Sequence, residues 1–330
     1  MPELPFEMTV QYPLTAQAAG ADYMFDLPNE PFSYLDFCLE GQADADDTKS
    51  LSIEDILSQI DLISIRLNGA DIIALTGEEI AIYAMAVSGF VPILTFHDLT
   101  INQMFNLTIR IPFSRKAYDP KECYPATPSG SSQCRVQIID AFTCLDNLSL
   151  EVVAARLPGA NPKFVITQDR IMQTIGAIGQ HDIPLTVQFP YAGLLMFSGA
   201  IPHGIAITST IRYLSLFEDS DQIRLHEIPW QHLRNRLMEL MRNFGWLREH
   251  VHKDIGESYA QGQLTSANIS EDNNFWDHFA YVDFDPTLDY LHVMDINRTH
   301  SLIARLTSDV VGNVVFYPVI FRLTSDMVRR

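Results

Sequence analysis

The sequence predicts a mainly β protein folded as two tandem antiparallel sandwiches or barrels, and three observations carry that prediction. Apolar and polar residues alternate along several short segments. Clusters of Gly, Pro, Asn and Asp separate those segments at short intervals. The order of elements in the first half is then echoed in the second.

The clearest alternation has Leu107, Ile109, Ile111 and Phe113 on one face and Asn106, Thr108, Arg110 and Pro112 on the other, the period of a half-buried strand. Further strands are expected over 136–139, 148–157, 185–189, 204–216, 278–284, 290–294, 302–306 and 314–323. Turn clusters such as Ala126-Thr127-Pro128-Ser129-Gly130 lie between them. No βα rhythm runs along the chain, which disfavours a parallel sheet.

Two helices are expected. Thr76-Gly77-Glu78-Glu79 is a capping box, with Thr76 at the N-cap and Glu79 at N3, and it opens the run 80–87. That run has almost no polar face, so it belongs inside the protein. The second helix starts at Pro229, placed at N1. Trp230, Leu233, Leu237, Leu240 and Met241 keep helical spacing, with a break expected near Gly245 and a further turn to about Lys253.

The echo organises the chain. Leu62–Leu67 leads through Asn68-Gly69 to Asp71–Leu75 and the first helix. Ile207–Leu214 leads through Asp219-Ser220 to Asp221–Leu225 and the second. Each half then closes on a paired-strand stretch, 133–157 and 300–323. A repeat of this length points to a duplicated β domain, not a solenoid. The expected division is an extended N-terminal arm over 1–20, a first domain over 21–165, a linker over 166–182 and a second domain over 183–330.

Composition bounds the function. The 330 residues suffice for one large or two ordinary domains. With 47% apolar and 19% charged residues and a mean hydropathy of +0.04, the chain is too apolar to be disordered. It is also short of charge for a fully solvated monomer. A formal charge of −19 repels nucleic acid at long range and argues against a dedicated DNA- or RNA-binding protein. The charge is uneven, with thirteen acids and one base, Lys49, between Met1 and Asp61. The N-terminus lacks the basic flank and apolar stretch of a signal peptide. The longest apolar run, 80–94, is broken by Ser88-Gly89 and Pro92, so a soluble chain that does not span a membrane is expected. Cys38, Cys123, Cys134 and Cys144 match no zinc or redox spacing. Free thiols are expected, with a Cys123–Cys134 bridge as the alternative in an oxidising setting.

At the level of architecture the chain resembles the double jelly-roll major capsid proteins, the lineage of adenovirus hexon and of icosahedral bacteriophages with an internal membrane. Its length suits the small phage members, such as the Flavobacterium-infecting lipid-containing phage. The resemblance implies a mainly β fold of two tandem eight-stranded jelly rolls, each with a short helix insertion. It implies a homotrimer of pseudo-hexagonal outline in the capsid of a virion, made in the host cytoplasm. The implied partners are further copies of the chain, vertex or penton proteins and lipids of the internal membrane. It brings no catalytic, cofactor-binding or metal residue.

Several residue groups carry side chains capable of chemistry. His250-Val251-His252, flanked by Glu249 and Asp254, lacks the i,i+3 or i,i+4 spacing of a helical metal pair. His226-Glu227 and His232 adjoin the second helix start. His97-Asp98 has no nucleophile beside it. Asp44-Ala45-Asp46-Asp47 lacks the glycine and terminal glutamate of an EF-hand. Asp283, Asp285 and Asp289 surround a turn at Pro286, where a carboxylate pair for glycosidic chemistry competes with ordinary turn bonding. Trp230, Trp246 and Trp276 are a sugar platform or core. No enzyme, cofactor or metal is expected. The alternatives are a β-sandwich carbohydrate-active enzyme or carbohydrate-binding protein, or a minor vertex or spike protein of a virion.

Overall fold

The computed structural model describes residues 6–44, 53–94, 104–201, 208–219, 222–235, 237, 239, 275–289 and 301–328. These residues form two compact units. The first runs to Thr167 and takes in the C-terminal stretch from Arg322; the second lies between Gln168 and Phe321.

In the first unit the chain forms β1 (Glu7–Gln17), β2 (Asp22–Asp26), β3 (Phe32–Ala43), α1 (Ile53–Leu57), β4 (Ile60–Leu67), β5 (Ala70–Leu75), α2 (Gly77–Ser88), β6 (Ile93–Leu94), β7 (Met104–Pro112), β8 (Ser132–Ile138) and β9 (Leu145–Arg156). One sheet has the order β1-β9-β3-β7-β6, the other β2-β8-β4-β5. The predicted alternation is realised on β7, where Leu107, Ile109 and Ile111 turn inward. They meet Leu35, Phe37 and Leu39 of β3 and Leu150, Val152 and Ala154 of β9 in a fully buried layer.

The crossing between units lies in β10 (Phe164–Gln168). The second unit then forms β11 (Ile171–Ile175), β12 (Gly179–Leu185), β13 (Tyr191–Ser198), β14 (Tyr213–Glu218), β15 (Gln222–Pro229), α3 (Trp230–Leu233), a 3₁₀ turn at Phe275–His278, β16 (Phe279–Asp283), β17 (Leu302–Ser308) and β18 (Gly312–Leu323). β11 pairs β18, which pairs β13, which pairs β16, and the facing sheet has the order β12-β17-β14-β15. The core joins Leu194 and Met196 of β13, Leu214 and Leu216 of β14, Ala304 and Leu306 of β17, and Phe316 and Ile320 of β18. The chain ends in α4 (Thr324–Val328), which belongs to the first unit.

The two units repeat one plan: β1-β9-β3-β7 matches β11-β18-β13-β16, and β2-β8-β4-β5 matches β12-β17-β14-β15. In each, the first strand pairs the last and the second pairs the next to last, which is the wrapping of an eight-stranded jelly roll. A helix follows the β4-β5 hairpin and likewise the β14-β15 hairpin, as the echo predicts. Both hairpins turn through a residue in the left-handed region, Asn68 (φ 51°) and Asp219 (φ 51°). Both carry an irregularity one strand-step before the turn, between Ile65 and Arg66 and between Leu216 and Phe217.

Helix α2 forms as its sequence dictates. The Thr76 hydroxyl accepts from the Glu79 amide (3.2 Å), and the Glu79 carboxylate accepts from the Thr76 amide (3.0 Å). Residues 80–87 are all buried. Gly77 is obligatory here, because a Cβ would lie 2.3 Å from the Leu57 carbonyl oxygen.

Several expectations are corrected. Residues 7–17, expected within an arm over 1–20, form β1 and pair with β9 from Glu7↔Arg156 to Gln17↔Leu148. Two register shifts and Pro13 erase the period-two signal there. The expected linker over 166–182 holds the end of β10, all of β11 and the start of β12. β11 and β12 are short and largely exposed, so they carry little hydrophobic pattern. The strand expected over 185–189 instead precedes it, as β12. Of the strand expected over 204–216, residues 204–207 lie outside the described residues, 208–212 are not strand and 213–216 fall in β14, so Tyr213–Glu218 is the counterpart of Leu62–Leu67. Pro229 is the N-cap of α3, one residue before the expected N1. The strand expected over 290–294 and the helical continuation over 240–253 lie outside the described residues.

The capping box gives a direct test. Thr76→Ala removes the side-chain acceptor at a buried helix start and is expected to lower stability by about 1 kcal/mol, read as a shift in urea midpoint at unchanged slope.

Candidate functional site

The residues singled out for chemistry do not converge. His97-Asp98, His250, His252, Glu249, Asp254, Trp246 and the run Ala45-Asp46-Asp47 lie outside the described residues. The Asp44 amide donates to the Cys144 carbonyl (3.0 Å), closing a loop. The Asp283 carboxylate accepts the Asp285 amide (3.0 Å), and the Asp285 backbone carbonyl accepts the Leu288 amide (3.0 Å), so the Asp283 side chain is committed to the local turn, while the Asp285 side chain is buried. His226, Glu227 and His232 are exposed, and the Glu227 amide donates to Ser215 Oγ (2.8 Å). Trp230 and Trp276 are buried in the second unit and present no platform. Among the described residues no group of three or more His, Cys, Asp or Glu is arranged to hold a metal, and no helix is long and apolar enough to cross a membrane.

What the structure does assemble is a set of arginine–carboxylate pairs on the sheets and loops. Arg110 of β7 donates both Nε and an Nη to Asp36 of β3 (2.7 and 2.9 Å), with its guanidinium 3.5 Å from the Tyr34 ring centroid and 4.1 Å from that of Phe90. This bidentate, stacked arrangement needs arginine's planar fork and would be lost with lysine. It lies beside a cleft lined by Ser33, Ser88 and Ser114. A second device is repeated between units. Arg135 of β8 chelates Asp22 of β2 (2.9 and 2.6 Å) beside Ser64 of β4; Arg305 of β17 chelates Asp182 of β12 (2.6 and 2.8 Å) beside Ser215 of β14. In each case the arginine hydrogen bonds hold the partner carboxyl below the usual aspartate range.

The most buried pair is Arg115–Glu122. The Glu122 carboxylate accepts the Arg115 amide (2.6 Å), its Nε (3.3 Å) and an Nη (3.2 Å), and both side chains are almost completely buried. The pair closes the loop that carries residues 116–121. Sequence reasoning missed it, because an Arg and a Glu seven residues apart in a coil have no periodic signature.

All four cysteines are free thiols, three of them buried. Burial pushes the Cys123 thiol and the Tyr124 phenol each up to about 12 and raises Cys134 as well.

With this geometry in view, the chain was compared with known proteins. No protein-family model matches it, and no curated protein matches it. Among solved structures it is similar over nearly its whole length to the major capsid protein P2 from bacteriophage PM2, with 10% identity, TM-score 0.62 and coverage of 97% of this chain and 98% of that chain. It is also similar to a chain of the Sulfolobus turreted icosahedral virus (11% identity, TM-score 0.64, 98% and 96% coverage). A third likeness is to the PBCV-1 virus capsid (7% identity, TM-score 0.59, 97% and 94% coverage). At these identities the likeness concerns the fold. The fold is the double jelly roll, two β-sandwich units in tandem with a helix inserted in each.

Two outcomes follow from the buried groups. Glu122→Gln leaves a buried guanidinium without its counter-charge and is expected to cost about 3–5 kcal/mol in urea unfolding, whereas Arg115→Met with Glu122→Leu costs clearly less. In the unfolded chain Cys123 and Tyr124 lose their protons near ~8.5 and ~10, but the folded chain keeps them to about 12. Their contribution to stability is therefore intact at neutral pH and falls as pH rises through 9 to 12. Urea midpoints at pH 7, 9 and 10.5 should decline in that order.

Proposed function

We propose that this chain is the major capsid protein of an icosahedral virion, a structural subunit with no enzymatic role. One observation carries the reading: chain-length correspondence, at 94–98% coverage on both sides, with three viral proteins that share its two-unit fold. Charge and surface support it. Phe6 just before β1, Met8, Val10 and Leu14 of β1 and Met24 of β2 are all about half exposed or more, apolar surface suited to burial against identical copies.

The finer reading is a homotrimer of pseudo-hexagonal outline, in which two similar units per chain supply six barrels. Its partners are neighbouring trimers and the vertex or penton proteins. We place the shell over an internal membrane, as in the Flavobacterium-infecting lipid-containing phage. The −19 charge supports that placement, because a coat lying directly on packaged nucleic acid more often carries net positive segments. The chain is made in the host cytoplasm and ends in the virion capsid.

Size-exclusion chromatography with light scattering, followed by negative-stain microscopy, tests this. The expected species has three times the chain mass of 37.3 kDa and a hexagonal outline. A monomer that persists at every salt and pH overturns the proposal.

A further inference from the structure

Five side chains of the first unit stack in a row. Phe6, just before β1, packs on Tyr118 (4.9 Å between centroids), and Tyr118 meets Tyr34 of β3 edge-on (5.7 Å). The Arg110 guanidinium lies over the rings of both Tyr34 and Phe90. A polar relay follows the same course. Tyr34 Oη donates to Met8 Sδ of β1 (3.9 Å), so the hydrogen in the 2.6 Å bond between the two phenols comes from Tyr118.

Tyr118 sits in the loop 115–122. The ends of that loop are clamped by the Arg115–Glu122 pair and by the Lys163 amide, which donates to the Lys121 carbonyl (2.9 Å). Its middle is tied down differently. The Asp119 amide turns back on the Lys116 carbonyl (3.3 Å) inside the loop. Among the described residues, the hydrogen bonds from 116–119 to positions beyond the loop both come from Tyr118. Its amide donates to Ser33 Oγ (3.0 Å) and its hydroxyl to Tyr34.

The backbone there is strained. Tyr118 has φ 63°, in the left-handed region that Asn68 and Asp219 enter readily and that a bulky aromatic residue avoids. Such a conformation persists only where surrounding contacts hold it. Here those contacts are Ser33, Tyr34 and Phe6. The strand that supplies Phe6 is itself lightly held. β1 buries one side chain, Gln17, and shifts register twice against β9. Its first residues are tied down by Arg156, which meets Glu7 and Thr9, and by the Phe6 and Met8 contacts.

We propose that this row is a latch: the front of β1 and the closed form of segment 116–119 hold each other in place, so release of either frees the other. When Phe6 and Met8 leave, Tyr118 loses its ring partner and the end of its polar relay. It then relaxes out of the left-handed region and draws Ala117 from the wall of the cleft at Ser33, Arg110 and Ser114. The coupling is reciprocal, because both segments depend on one set of contacts. The latch belongs to the single chain and stands apart from the capsid reading. Phe6 and Met8 are still 60% and 49% exposed when latched, so their outer surfaces stay open to the contacts between copies proposed above.

Limited trypsin digestion and hydrogen exchange of the full chain test both directions. Trypsin reads the loop at the exposed Lys116–Ala117 bond, with the cut placed by fragment mass. Where opening is fast relative to cleavage, the rate follows the open population. Phe6→Ala removes one aromatic pair and is expected to raise that rate about fivefold. Tyr34→Phe keeps the ring under Arg110, removes the bond between the phenols and is expected to raise it by about the same factor. Leu14→Ala, an exposed change farther along β1, should leave it within about twofold. In the other direction, Tyr118→Ala should speed exchange of the amides at 8–10 about fivefold and leave those of β3 unchanged. Adding Phe6→Ala to Tyr118→Ala should alter that exchange by less than about twofold, since the shared contact is already gone.

Loop cleavage at the wild-type rate in both Phe6→Ala and Tyr34→Phe overturns the latch. An equal rise in Leu14→Ala overturns it too, because general loosening of β1 would then explain the effect. Exchange at 8–10 that ignores Tyr118→Ala overturns the coupling, which must run both ways. A fall in urea midpoint large enough to account for the extra cleavage overturns it in favour of global unfolding.

Discussion

Every sheet of this protein depends on pairing strands that lie far apart in the chain. Glu7 meets Arg156, Asp22 meets Gln137, and Gly179 meets Ser308. The first strand of each unit is held by its last, so neither sandwich has a complete sheet until nearly all of its chain has been gathered. Such closure costs loop entropy before the core returns any energy, which makes folding slow relative to proteins with local contacts. The tight features, namely the capped α2, the hairpins at Asn68 and Asp219 and the buried Arg115–Glu122 loop clamp, are local structures that lower that cost by fixing the geometry of the connections.

Charge is arranged to the same end. The chain is strongly acidic, yet each of the arginines in the pairs named above is tied to a carboxylate within its own unit, several of them bidentately across neighbouring strands. These pairs are worth little individually where they are exposed. Their effect is on register: Arg110 to Asp36 and Arg305 to Asp182 join directly opposed residues, and a slip of one residue would carry the partners to opposite faces. Among the described residues no lysine lies in a strand.

The fold class was legible because period-two alternation, dense turn chemistry and the echo of hairpin, helix and closing strands are local signals. The capping box at Thr76 and the burial of residues 80–87 were legible for the same reason. β1 was not, since two register shifts and Pro13 break its alternation, and β11 and β12 were too short and too exposed to show one. The register of the echo was misplaced by several residues, because Ile207–Leu214 reads as a strand by composition, while the pairing of Ser215 with Arg305 assigns that role to Tyr213–Glu218. Among the candidate site residues, Asp283 and Asp285 resembled a carboxylate pair in sequence and proved to be turn residues in space.

The sequence by itself determined that the chain is mainly β, which face of β7 turns inward and where two helices begin, because those properties follow from side-chain period and from end-capping within a few residues. Only the tertiary structure decided which strand pairs with which and that both units share one jelly-roll order. Alternation states which side of a strand is apolar and carries no information about its neighbour. That choice is made by the whole set of long-range pairings at once, when two sheets close on a single core.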